Sequence, residues 1–159
     1  MFEVLAYVYD HYWQGDSCPT LPTLQRQLRQ LGFADTEVVN ALLWLEELKR
    51  ASQSWHPTAA SACLPNALTT NAMRVLTPAE QLRLTPESWA YLLFLVSVDA
   101  LPMQRFELVM DRVLACAPDP LALDEFKLVV LMVFWSLGEE PSALVLDDLC
   151  DNPSARTAH

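Results

Sequence analysis

Histidine and cysteine are the side chains best suited to holding a metal or attacking a substrate, and their spacing here argues against both uses. His11, His56 and His159 lie far apart along the 159 residues, and Cys18, Cys63, Cys116 and Cys150 are widely and irregularly placed. There is no CxxC and no Cys/His pair at ligand spacing, so the thiols read as free cysteines of a reducing cytoplasm. His11 and Cys18 are the one imidazole–thiol pair in local reach, a weak motif beside the ordinary reading of Cys18-Pro19 as a turn. Cys116 reads as a buried thiol at an apolar helix end and Cys150 as incidental to a short terminal helix.

Carboxylates give no better constellation. Glu46-Glu47 and Glu139-Glu140 are adjacent, and neighbours on a helix point about 100° apart, so they do not converge as an acid/base pair. Asp147, Asp148 and Asp151 lack the glycine and spacing of an EF-hand and read as a solvated helix face. The three glycines, Gly15, Gly32 and Gly138, are unclustered, which excludes a P-loop or a dinucleotide fingerprint. The expectation is no catalytic residue, no metal, no cofactor and no small-molecule substrate.

Bulk properties narrow the partners. Net charge is −10, with 52% apolar residues. Residues 1–83 hold six basic side chains against eight acidic ones, while residues 84–159 hold four against twelve. Phosphate neutralisation drives non-specific nucleic-acid binding, so the C-terminal half is a poor surface for it, and an anionic membrane is disfavoured on the same ground. The start Met1-Phe2-Glu3 has no basic n-region, and the longest apolar runs, 89–98 and 128–137, are about half the roughly 20 residues that a span needs. These features predict a cytoplasmic protein.

The elements follow from apolar periodicity. Residues 1–14 predict a helix with Phe2, Leu5, Tyr9 and Tyr12 on one stripe, widened by Val4 and Val8, and ended at Gly15. Thr20-Leu21-Pro22 opens a second helix, closed by Gly32, with Phe33 tucked back. Asp35 is a good N-cap for a third helix reaching Arg50, with Val38, Ala41, Leu42, Leu45 and Leu48 inward. Residues 51–70, rich in Ala, Ser, Thr and Pro, predict a flexible loop, and 52–55 and 73–76 are possible strands. Thr77-Pro78-Ala79-Glu80 is a capping box with proline at the first helical position, repeated in form by Thr85-Pro86-Glu87. The helix that follows carries Trp89, Leu92, Leu93 and Val96 inward. Another starts at Leu101-Pro102 with Phe106, Val109, Met110, Val113 and Leu114 as its stripe, and Pro118 and Pro120 stop it. The helix at 123–137 is apolar almost all round and belongs in the middle of a bundle. Gly138 ends it, and Ser142 opens a short last helix.

The expected fold is mainly α: a winged-helix-like N-terminal unit (1–76; three helices plus a small β-hairpin) packed on a C-terminal helical bundle (77–152), with a frayed 153–159 tail. A plain helical bundle with a floppy loop is the alternative.

Several segments carry a resemblance: MFEVLAYVYDHYW at 1–13, NALLWLEEL at 40–48, MRVLTPAE at 73–80, YLLFL at 91–95, DRVLA at 111–115 and LDEFKLVVLMVFW at 123–135. In this order they resemble the Smg family of proteobacterial proteins, a domain of unknown function. The resemblance implies a small cytoplasmic bacterial protein and brings no reaction and no catalytic residues.

A helix-turn-helix order invites a test for nucleic acid. A recognition helix presents Arg, Lys, Asn or Gln. The helix at 35–50 would instead present Glu37, Asn40, Glu46 and Glu47, with Lys49 and Arg50 at its end. The expected function is therefore protein–protein interaction as a non-enzymatic module or adaptor with an unknown protein partner. Its candidate surface is Trp44, Glu46, Glu47, Lys49 and Arg50. Trp44 falls off the centre of its helix's apolar stripe, so it either anchors a partner or packs against the second half of the chain. Trp55 in the loop is another candidate anchor. The alternative is a nucleic-acid accessory factor using Arg26, Arg29, Lys49, Arg50 and Arg74 as a local basic patch.

Overall fold

Helix ends in this chain are set by local chemistry. The computed structural model describes residues 1–12, 19–54, 76–116, 119–138 and Val145. Among these it has seven helices: α1 (Phe2–Tyr12), α2 (Leu21–Gln30), α3 (Asp35–Ser54), α4 (Pro78–Gln81), α5 (Pro86–Ser97), α6 (Met103–Leu114) and α7 (Leu123–Leu137). α2 closes in a Schellman arrangement: Gly32 N–H donates to the Arg29 carbonyl at 3.1 Å and Phe33 N–H to that of Leu28 at 3.3 Å. Gly32 takes φ +91°, a region open to glycine, and Phe33 packs back on the core with its ring edge toward Tyr7. The Thr77 capping box is present, with Thr77 N–H donating to Glu80 Oε2 at 2.7 Å and Glu80 N–H to Thr77 Oγ1 at 3.3 Å. Thr85 caps α5 through Ser88 N–H.

Three expectations need correction. Residues 52–54 are the last turn of α3, with Ser52 Oγ donating to the Lys49 carbonyl at 2.9 Å, so the first arm of the expected hairpin is helix. The chain meets no proline before Pro57 and no glycine, so nothing in 51–54 stops the helix. Of the second arm, 73–76, residues 73–75 lie outside the described residues, and Leu76 is in no strand. Among the described residues there is no strand, only an isolated parallel bridge between Leu84 and Leu121, and the winged helix is not supported. Asp35 is a helical residue rather than the cap. The Ala34 carbonyl accepts from Val38 N–H, and the Asp35 carboxylate lies 2.7 Å from Arg29 Nε. Third, Leu93, Val96 and Leu114 face outward instead of inward. Along α5 the apolar run has no polar side to fix its orientation, and the face seated on the bundle is Ser88, Leu92 and Leu95.

The core is one apolar cluster running from Val4 to Val145. α7 sits at its centre, with Phe126 and the successive residues Val129, Val130, Leu131, Met132, Val133 and Phe134 all buried. It packs against α1, α3, α5 and α6. Two lysine and arginine stems close over aromatic faces at its edge: Lys127 Nζ lies 4.9 Å from the Tyr91 ring centre and Arg105 lies 5.5 Å from that of Phe134. The Leu84–Leu121 bridge is reinforced by Ser88 Oγ, which donates to the Leu121 carbonyl at 3.0 Å, and ties the start of α5 to the start of α7.

α3 is joined to α6 around Arg112, first through that residue's peptide group. Trp44 Nε1–H donates to the Arg112 carbonyl at 3.2 Å, and Cys116 Sγ–H donates to the same oxygen at 3.2 Å. Burial pushes the Cys116 thiol up from an ordinary 9.0 to about 11. The neutral thiol is thus favoured in the folded state. Its contribution to stability is complete below pH 9 and disappears as pH rises through about 11.

Three outcomes follow from this core. Phe126→Ala leaves a cavity at the centre and costs about 3–5 kcal/mol in denaturant unfolding. Asp99, at φ +56° in the exposed α5–α6 turn, tolerates the left-handed region, whereas Asp99→Val costs about 1 kcal/mol by the same measurement. Between pH 9 and 11 the native protein loses stability more steeply than Cys116→Ala, read from thermal midpoints across that range.

A candidate docking ridge on the third helix

Helix geometry sorts the side chains of α3 into two sides. Val38, Ala41, Leu42, Trp44 and Leu48 are buried. Leu43 is close to opposite the centre of the stripe, at 100° per residue, and Val39 is one turn before it on the same side. Both are exposed, Leu43 to 55%. Glu46 and Glu47 follow in the next turn and are also exposed. The outward side of α3 is therefore an apolar ridge running into two carboxylates.

Leu43 separates two grooves. On the α2 side, a shallow groove of about 210 Å³ is lined by Leu21, Pro22, Val39 and Glu46. On the other side, a wider groove of about 520 Å³ runs between α3, the start of α1 and the α6–α7 connection. Phe2, Trp44 and Leu121 contribute apolar lining there, and Glu47, Asp119 and Glu125 contribute carboxylates. Among its described lining residues the one cation is the Met1 ammonium, held by Glu37 Oε1 at 3.0 Å, while Glu47 is paired from below by Arg112, leaving Asp119 and Glu125. The wide groove is thus electrostatically negative over an apolar base, which suits a cationic or apolar group and opposes a phosphate.

Each residue singled out in the sequence now has a place. Trp44 is 3% exposed and hydrogen-bonded to α6, so it packs in the core and only lines the base of the wide groove. Glu47 Oε2 accepts from Arg112 Nη1 at 3.2 Å, while Arg112 also donates to Asp111 Oδ2 from Nε and Nη2. Glu46 lies 3.7 Å from Arg50 in a solvated i,i+4 pair. Lys49 and Glu46 line a third hollow of about 360 Å³, with Leu24, Leu45, Leu48 and Trp135 as its apolar wall.

Two members of the basic set face carboxylates of their own. Arg29 is occupied by Asp35 and Arg50 faces Glu46, while Arg26 is exposed on α2. Arg74 lies outside the described residues, as do Cys18, Trp55, His56, Cys63, Asp147, Asp148, Cys150, Asp151 and His159. His11 Nδ1 is 2.9 Å from the Tyr7 carbonyl, and its ring stacks on that of Tyr7 at 3.8 Å. Among the described residues no group of three or more His, Cys, Asp or Glu side chains could hold a metal ion, and no helix is long and apolar enough to cross a membrane.

Val39 and Leu43 are the residues that sequence reasoning passed over. The signal was present: both sit off the stripe that Val38, Ala41, Leu42, Leu45 and Leu48 define, four residues apart on the opposite side.

Comparison with known proteins bears on the whole chain. The family described as "Protein of unknown function (DUF494)" matches residues 1–159. The chain is 43% identical to a protein described as Protein Smg homolog from Methylibium petroleiphilum and 41% identical to one from Leptothrix cholodnii. It is 34% identical to that of Bordetella pertussis. In each case the alignment covers 100% of both chains. No solved structure matches. With a full-length family match and relatives above 40% identity end to end, the chain belongs to the Smg family, DUF494, whose function is unknown.

Proposed function

We propose that this protein is a non-enzymatic protein-interaction module of the bacterial cytoplasm that engages its partner through the outward side of α3. One observation carries the reading: the Val39–Leu43 ridge stands exposed between two grooves, and carboxylates line its far end. An apolar side chain of that exposure on an otherwise well-sorted helix is a ready anchor, and the flanking grooves receive the partner's side chains on either side. The acidic lining selects a partner whose contact surface is apolar with a basic margin.

The nucleic-acid alternative gains nothing from the geometry. The helix that would enter a groove of DNA leads with Val39, Asn40, Leu43, Glu46 and Glu47, and carboxylates repel phosphate. Two of the basic residues invoked for it, Arg29 and Arg50, face carboxylates of their own.

Leu43→Glu tests the reading. As an exposed substitution it changes stability by about 0.5 kcal/mol or less. In affinity capture from nuclease-treated native lysate, quantified by mass spectrometry against the unaltered protein, the expected result is selective loss of at least one protein by about tenfold or more. Equal capture by both forms, or captured protein that depends on intact nucleic acid, contradicts the proposal.

A further inference from the structure

A second face of the molecule is built for contact. Helical spacing puts Ala90, Leu93, Phe94 and Ser97 on the side of α5 opposite Leu92 and Leu95, with Val96 and Val98 at the margins. All six are exposed, Phe94 to 46% and Val98 to 48%. The principal helix neighbour of α5 is α7, which takes the inward side. A helix apolar on both sides is normally enclosed, and here one side is open.

From 88 to 98 the chain carries no charged residue, and the strip is bracketed by two exposed carboxylates, Glu87 and Asp99. The twelve residues of α5 run about 18 Å, three turns and a little more, which is the length of a short helix laid alongside.

We infer that the outer face of α5 docks an amphipathic helix of another protein, one whose apolar stripe of about three turns is flanked at both ends by Lys or Arg. Charge complementarity selects this occupant. Basic flanks meet Glu87 at one end of the strip and Asp99 at the other. A second copy of this chain does not: antiparallel pairing of two α5 strips brings Glu87 of each against Asp99 of the other, and each chain carries a net −10. This surface shares no residue with the α3 ridge, so either can fail without the other.

The test uses the full chain and two synthetic helical peptides of about five turns with the same leucine stripe at i, i+3, i+4 and i+7, one flanked by lysines and one by glutamates. Fluorescence anisotropy is expected to show micromolar binding of the lysine-flanked peptide and binding weaker by about tenfold or more for the other. Phe94→Glu is expected to abolish binding of both. Glu87→Gln with Asp99→Asn, which keeps a residue tolerant of positive φ in the turn, is expected to erase the difference between the peptides. Leu43→Glu leaves both affinities unchanged. The inference is overturned if neither peptide binds, if both bind equally to the native protein, or if Phe94→Glu binds as the native protein does. It is also overturned if Phe94 instead governs sedimentation as a dimer, which would make the occupant a second copy, or association with phosphatidylglycerol vesicles, which would make it a lipid surface.

Discussion

α7 has no side to give to water. Six successive buried residues, from Val129 to Phe134, cover its whole circumference, so the rest of the chain has to surround it. α1, α3, α5 and α6 do so, each turning one apolar stripe inward. For three of them that stripe can be read off the sequence because the other side is more polar. Enclosure of one helix buried all round its middle is the constraint from which the arrangement of the others follows.

That constraint also decides what is left outside. α3 touches α7 on one side and is fastened to α6 through the Trp44 indole and the Arg112 peptide, with Glu47 reaching the Arg112 side chain above it. Its orientation is therefore fixed, and with it the outward position of Val39 and Leu43. α5 is held by α7 and by the Leu84–Leu121 clasp at its start, which leaves its far side apolar and open. Two helices thus end with apolar side chains that the protein's own core does not use. The only described thiol is buried and held protonated, which suits a role in packing.

Legibility from sequence followed the range of the interactions. Gly32, Gly138, the Thr77 box and the Thr85 cap act within a few residues, so the ends of α2, α4, α5 and α7 could be read directly. The stripes of α1 and α3 were equally plain. The continuation of α3 through 51–54 was not, because Ala-Ser-Gln-Ser suits a helix turn and a loop alike, and the tract that follows is rich in Ala, Ser and Thr. The rotation of α5 was hidden by its uniform apolarity. Trp44 was settled by a partner 68 residues away, which no local pattern announces. Of the candidate surface, Glu46 and Glu47 were legible as the polar side of the stripe. Leu43 was not singled out, since an apolar residue in a helix is core by default.

The outward side of α3, and not its inward side, is the face we propose to meet a partner. The most direct measurement is a photo-crosslinking scan in living cells of the native host, with a benzophenone amino acid placed in turn along α3. Crosslinks to a common protein from positions 39, 43 and 46, and silence from exposed positions on α6, are predicted. A uniform absence of crosslinks along α3, with products arising from other faces, would contradict the account.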